Sequence, residues 1–500
     1  MVSQPSAGRV SPPSAAPATV FPFTARRSEQ GAPDPLADPL ADPLQPFADP
    51  LQPDPALEAF LQEAASRMSR WLGRSAMRVL PAQACPLSAF EPELRGLSAQ
   101  RLLDDLEQLM EAAYSPGHPG ALAHLDPPPL TAGIAAELVC AGLNNNLLAE
   151  ELSPGLSDLE RRLCRWFAAR LGLGEQGGGI PASGGSLSNL IALVTARRQA
   201  GLATRGDAVV LCSADAHVSL DKAMAVMGLP AEALIRLPVD DAGRLDPQAV
   251  AEQLLELERH GVPAIALVAT AGSTVRGAID PLEPLADLCR AHSLWLHVDG
   301  AIGAVFGLGA TMPGELVGLG RADSLTVNPQ KLLGVPKTSS LLLLRRPELL
   351  QQAFGTGLPY MEPSAGGGHG GEAGLQGTRP AEILKLWLGL RQLGLEGIAA
   401  VLEGAVARRR QLQSLLESDG RLALRSGPLH LIAFRPAGAD PAAAERWSLR
   451  TRQELLDQQL MLSRPLYQGC RHLKAVLGNP HTRSVDLERL AAVVRAGLTS

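Results

Sequence analysis

Apolar residues recur along the chain at two different spacings. From Pro55 the spacing is three to four: Leu57, Phe60, Leu61, Ala64 and Met68 share one helix face, and Leu102, Leu103, Leu106, Leu109 and Met110 mark a second helix after Ser98. A longer helix is predicted through Ile134, Leu138 and Leu143, and Ser157-Asp-Leu-Glu160 reads as a capping box expected to open another through Leu163, Trp166, Phe167 and Leu171. Beyond about residue 200, short apolar runs alternate with amphipathic stretches. Strands are predicted at 208–212, 234–237, 264–269, 294–298, 324–327 and 341–344, with helices over 246–260, 282–292 and 348–354. Toward the C-terminus the pattern predicts helices over 381–393, 397–416, 442–458 and 484–498, with strands near 429–434 and 473–477. Strands alternating with helices imply an α/β fold with a largely parallel sheet covered on both faces. Ligands of such sheets bind at the carboxyl ends of the strands.

Composition changes the picture at the N-terminus. Residues 1–55 are rich in Pro, Ala, Ser and Asp, and Asp-Pro-Leu recurs at 34–36, 38–40, 42–44 and 49–51. A tract of this kind buries too little surface to offset its ordering entropy, so it is expected to be a disordered leader. The expected organisation is that leader, a helical arm over 56–150, a large α/β domain over 151–395 and a smaller α/β domain over 396–500. Net charge is −6 and no long Lys/Arg run occurs, which argues against nucleic acid or anionic membrane as partners. The six cysteines are scattered with no C-x-x-C pair, which favours a reducing cytoplasm and argues against zinc or iron–sulfur. No run of eighteen apolar residues is present to span a membrane.

Candidate chemistry begins with lysine usage. Of 45 Lys and Arg residues only five are lysines: Lys222, Lys331, Lys337, Lys385 and Lys474. Lys331 follows an apolar run and Asn328-Pro-Gln, where Pro329 restricts Asn328 and ends the strand. A lysine in such a setting offers an amine able to lose its proton, as Schiff-base chemistry requires. Upstream, Ala182-Ser183-Gly184-Gly185-Ser186 runs into a helix, and small residues before a helix form a phosphate cradle. No Walker lysine follows. His217, Thr270, Asp299 and Lys331 all fall just past predicted strands and so converge on one crevice. Singly, each has a plainer reading as a cap, a structural histidine or a surface lysine. Together they form the inventory that pyridoxal phosphate needs: an amine for the aldehyde, a phosphate cup, an acid at the pyridine nitrogen and a plate against the ring. After residue 354 a glycine-dense loop carries Tyr360, one of three tyrosines, and reads as an active-site lid.

These motifs resemble those of the group II pyridoxal-phosphate decarboxylases, the family of glutamate, aromatic-amino-acid and 2,4-diaminobutyrate decarboxylases. The resemblance spans about residues 119–498. Ala182-Ser-Gly-Gly-Ser-Leu-Ser-Asn189 resembles the family's phosphate turn, and Ala216-His217-Val-Ser219 the segment whose histidine stacks on the cofactor ring. Thr270-Ala-Gly-Ser-Thr274 is similar to another core motif, and His297-Val-Asp299-Gly-Ala301 to the strand end whose Asp pairs with the pyridine nitrogen. Asn328-Pro-Gln-Lys331 resembles the Schiff-base motif. The family has His where Gln330 stands.

The resemblance implies a fold-type-I pyridoxal-phosphate enzyme, a homodimer with its active site at the subunit interface. It implies decarboxylation of an L-amino acid, with Lys331, His217 and Tyr360 as catalytic residues, Tyr360 protonating the α-carbon. Cofactor contacts are expected from Ser183, Gly184, Gly185, Ser186, His217, Thr270, Asp299, Ala301, Asn328 and Lys331. His124, Arg379 and Lys474 are candidates for holding the substrate, Lys474 standing where the glutamate branch has Arg. The Asn-Pro form and Lys474 lean toward glutamate or aspartate, with 2,4-diaminobutyrate next. An aldehyde synthase, an aminotransferase or a non-catalytic descendant are the alternatives; Tyr360 argues against the first two, and the retention of Lys331, Asp299 and His217 against the third.

Overall fold

The computed structural model describes residues 47–81, 91–309, 312–357, 361–362, 368–418 and 420–498. The leader up to residue 46 and Tyr360 lie outside the described residues. The chain divides into two units: the described parts of 47–65 and 91–106 form one, and those of 66–88 and 107–498 the other. Helices α1 (Pro55–Gly73) and α2 (Ala99–Glu111) carry the two N-terminal amphipathic patterns.

In the larger unit, α3 (Thr131–Leu143) and α4 (Pro154–Arg170) precede a seven-stranded sheet. Its strands are β1 (Gly178–Ala182), β2 (Val209–Ser213), β3 (Leu234–Leu237), β4 (Ala264–Thr270), β5 (Trp295–Gly300), β6 (Ser324–Val327) and β7 (Ser340–Leu344). Their spatial order is β1-β7-β6-β5-β4-β2-β3. The strands from β3 to β6 pair in parallel, and β7 runs antiparallel to both its neighbours. Between them run α5 (Gly185–Gln199), α6 (Ser219–Val226), α7 (Pro247–His260) and α8 (Leu282–Ala291), followed by α9 (Glu348–Phe354). Strands β2, β5, β6 and β7 are buried along their whole length, as expected of a sheet covered on both faces.

The strand β1 has no counterpart in the predicted list. Its Gly-Gly-Ile-Pro-Ala sequence lacks the alternation that marks a strand, yet it pairs register for register with β7. Gly179 is required there: a Cβ would stand 1.9 Å from the carbonyl oxygen of Leu342. The two helices predicted at 381–393 and 397–416 form one run, α10 (Ile383–Glu417), broken only where Gly394 takes φ 62°, ψ 177°. A three-stranded antiparallel sheet, of order β12-β9-β8, completes the C-terminal region. It comprises β8 (Leu422–Ser426), which the pattern missed, β9 (Leu431–Pro436) and β12 (Leu473–Val476); the pair β10 (Leu466–Tyr467) and β11 (Cys470–Arg471) is a short ribbon. Helices α11 (Pro441–Asp457) and α12 (Ser484–Ala496) cover this sheet around a core that includes Phe434, Trp447 and Leu490. No helix among the described residues is long and apolar enough to cross a membrane.

Candidate active site

Register brings the strand ends together. Thr270 lies opposite Asp299, and Asp299 opposite Thr326, so β4, β5 and β6 end at one level. Beyond β6 a single 3₁₀ turn, Pro329–Lys331, lifts Lys331 over this edge. At the same edge is a cavity of about 200 Å³. Its wall includes Lys331, Asp299, His217 and Thr270, together with Asn328, Ala301, Gly185 and Ser186. Eight of the predicted cofactor residues thus meet in one place. Ser183 and Gly184 do not line it. They form the turn before α5, where Gly184 at φ 130° adopts a conformation open to glycine. An adjoining cavity of about 310 Å³ shares Asp215, His217, Ser273 and Thr274 and is walled by Tyr467.

The electrostatics follow from burial. Lys331 has its pKa lowered, chiefly because its surroundings exclude water, with Asp299 and Asp126 opposing the shift. No hydrogen bond or ion pair to its amine is found among the described residues. His217 is also pushed down by burial, and its Nδ1 accepts the backbone N–H of Ser219 at 3.2 Å, which leaves Nε2 as the protonated nitrogen. Asp299 is held on both oxygens: Oδ2 accepts from Asn189 Nδ2 at 2.8 Å and Oδ1 from the Ala301 N–H at 3.2 Å. Beneath Thr270, the buried Asp280 accepts the N–H groups of Thr270 and Leu245, and burial pushes its carboxyl up to about 7.

Two buried polar atoms of the site have no protein partner: Thr270 Oγ1 and Asn328 Oδ1. Such atoms are costly unless a ligand satisfies them. Gly185 sits so close to Asn328 that a Cβ would stand 3.0 Å from Nδ2, so the start of α5 is kept bare. Orphaned polar atoms, a bare helix start, a carboxylate and an uncommitted amine fit a ligand with an anionic group, a hydrogen-bonding ring and an aldehyde.

Residues 81–436 match the pyridoxal-dependent decarboxylase conserved domain. The chain belongs to this family. L-2,4-Diaminobutyrate decarboxylase of Rhizobium meliloti (strain 1021) is 31% identical over 445 residues, covering 87% of this chain and 88% of that protein. Human cysteine sulfinic acid decarboxylase is 31% identical over 348 residues, 66% of this chain and 70% of that protein. The crystal structure of mouse CSAD in apo form superposes with a TM-score of 0.82 at 26% identity, covering 89% of this chain and 99% of that chain. The chain is therefore a carboxy-lyase of fold type I that uses pyridoxal phosphate.

The three candidate substrate residues fall in different places. Lys474, on β12, donates to the Thr274 carbonyl at 3.4 Å, next to the cavity wall, and burial lowers its pKa to about 8 with Lys331 adding to the shift. His124 lies within the field of Lys474 and Asp126, and burial lowers its pKa, but it does not line the cavity. Arg379 is a correction. Its guanidinium makes a bidentate pair with Glu160 of α4, both side chains less than 9% exposed, and it does not line the cavity. Gln330 lines the cavity while its Oε1 accepts the Ser339 N–H. Sequence reasoning missed Asn189 as a site residue: it appeared only as the end of a small-residue turn, whereas it lies buried in α5 against Asp299.

Proposed function

We propose that this decarboxylase acts on a small L-amino acid with a charged side chain, 2,4-diaminobutyrate first. Lys331 would anchor the cofactor and Asp299 would serve as partner of its pyridine nitrogen. The observation that carries the reading is the meeting of the Lys331 amine, the Asp299 carboxylate and the His217 imidazole on one cavity wall. Pyridoxal phosphate, when bound, supplies a conjugated sink for the electron pair left on the α-carbon as carbon dioxide departs. The residues do the rest. Burial lowers the cost of removing a proton from Lys331, as condensation with an aldehyde requires. Asp299, clamped on both oxygens, keeps a negative charge at a fixed point. His217 presents its ring with Nδ1 locked by Ser219. The free N–H groups of Gly185 and Ser186, at the positive end of α5, take the phosphate, and Thr270 Oγ1 and Asn328 Oδ1 gain partners. Tyr360 would return a proton to the α-carbon.

The substrate order rests on relatedness over nearly the whole chain to an L-2,4-diaminobutyrate decarboxylase. Lys474 favours a second reading, an acidic side chain such as that of glutamate or aspartate, held by a point charge. A homodimer is proposed as well, because Leu138, Val139 and Leu143 of α3 are exposed apolar side chains in one short helix. The five described cysteines are free thiols, which fits a cytoplasmic location. Carbon dioxide release measured across a panel of L-amino acids, with Lys331→Ala as control, tests the reading. Release from 2,4-diaminobutyrate above all others is expected. Release confined to glutamate or aspartate would replace the substrate assignment, and release that persists in the control would remove Lys331 from its role.

A further inference from the structure

Behind Asp299 lies a continuous buried hydrogen-bond chain. Trp295 Nε1 meets Ser324 Oγ at 2.9 Å, Ser324 Oγ meets His297 Nδ1 at 2.9 Å, and His297 Nε2 meets Asn189 Oδ1 at 3.1 Å. Asn189 Nδ2 then reaches Asp299 Oδ2 at 2.8 Å. Asn189 also donates to Ser219 Oγ at 2.9 Å and accepts from Thr326 Oγ1 at 2.8 Å. All four hydrogen-bonding valences of its amide are therefore in use.

We propose that Asn189 and His297 are positioning residues of this enzyme, forming with Ser324 and Trp295 a one-way proton-donor chain that aims and holds the Asp299 carboxylate toward the pyridine nitrogen of the cofactor. The direction follows from the inventory of donors. A carboxylate only accepts, so the amide must turn Nδ2 to Asp299 and Oδ1 to His297. Facing an oxygen that only accepts, His297 Nε2 must carry the proton. His297 is fully buried, and burial holds its pKa down to about 4, so the ring is neutral and Nδ1 is bare. Ser324 must then give its own proton to Nδ1, and it can, because Trp295 Nε1 donates to its oxygen. Every proton points toward Asp299. Reversing any one link leaves two acceptors or two donors face to face among buried side chains, and the low local dielectric makes such a mismatch costly. Ser219 ties the same amide to His217, since the Ser219 N–H fixes the His217 ring. One side chain thus sets the acid on one side of the cavity and the imidazole on the other.

The proposal rests on the reading that Asp299 faces the pyridine nitrogen, and the test separates the two. Affinities of the full chain for pyridoxal phosphate and for its 1-deaza analogue, with carbon in place of the ring nitrogen, give a discrimination ratio. The wild-type chain should prefer pyridoxal phosphate. Asn189→Leu and His297→Phe should reduce that preference by at least about fivefold, Thr326→Val should reduce it less, and Thr326→Ser should restore it. A merely structural role would weaken both ligands equally and leave the ratio unchanged, which would overturn the proposal. A wild-type ratio near one would instead remove Asp299 from the ring nitrogen. As a second readout, ¹⁵N-histidine spectra of the wild-type holoenzyme, with the His297 signals assigned by their loss in His297→Gln, should show a neutral ring protonated at Nε2. A proton at Nδ1, or an imidazolium at neutral pH, would equally overturn it.

Discussion

Lys385 and Lys331 are both drawn out of water within the same unit and are treated in opposite ways. Lys385, on α10, is 1% exposed and fully occupied: its amine lies 3.1 Å from a Glu137 carboxylate oxygen and donates to the Lys337 carbonyl at 3.1 Å, with Glu382 at 3.9 Å. Lys331 faces a cavity with no such partner. The first arrangement uses the amine as a strut between α3 and α10. The second keeps carboxylates such as Asp299 near but out of direct contact, and so leaves the amine within reach of a ligand. Burial alone does not make a lysine reactive; burial without partners does.

Substitutions at these lysines and at the buried Arg379 test this contrast. The largest effect is expected from Lys331→Ala, which should lower carbon dioxide release by at least about a thousandfold, while urea unfolding stays close to wild type because no hydrogen bond or ion pair among the described residues is lost. Next comes Arg379→Met. It would strand Glu160 as a buried charge without a counter-ion and should cost about 3–5 kcal/mol, read from the urea midpoint, with little change in turnover by the molecules that remain folded. Lys385→Met should behave likewise but more mildly, about 1–3 kcal/mol, since Glu137 can turn to solvent; lost catalysis in this variant would end the distinction between strut and reagent.

The smallest net effect concerns Lys474, whose pKa burial lowers to about 8. A lysine with a lowered folded-state pKa costs stability below that pKa, and the cost fades as pH rises from there to the ordinary lysine range. Lys474→Met should therefore be slightly more stable than wild type near pH 7, partly offset by losing the bond to Thr274. The difference should close between pH 8 and about 10.5.

Scarcity of lysine pointed to Lys331, but Lys385 is equally scarce and more deeply buried. What separates them is the set of neighbours, which only the fold assembles. Strands made of branched and long apolar residues, such as β5 to β7, were legible because their side chains carry the signal. β1 was not, because Gly178 and Gly179 have no side chains to alternate, and Gly179 is there to let β7 approach. The carboxyl-end residues Asp299, Thr270 and His217 were legible from position alone, since strand ends in a parallel sheet share one edge. Asn189 was not, because a polar residue early in a helix reads as solvated until its buried partners are known. The pairing of Arg379 was hidden for the complementary reason: its acceptor, Glu160, is more than two hundred residues earlier in the chain.

The pairing of β1 with β7 also sets an order of events during synthesis. Gly178 finds its strand partner at Leu344, so β1 leaves the ribosome long before the only strand it pairs with. Domains of this size fold as their last long-range pairings become available, and early segments wait with unpaired edges. The parallel strands β2 to β5 can associate first. The turn bearing Lys331 emerges just ahead of β7, so the nascent chain completes its cofactor pocket and closes its sheet edge nearly together. A chain arrested before residue 340 would hold Asp299 and His217 but would lack the strand that seats β1 and the start of α5.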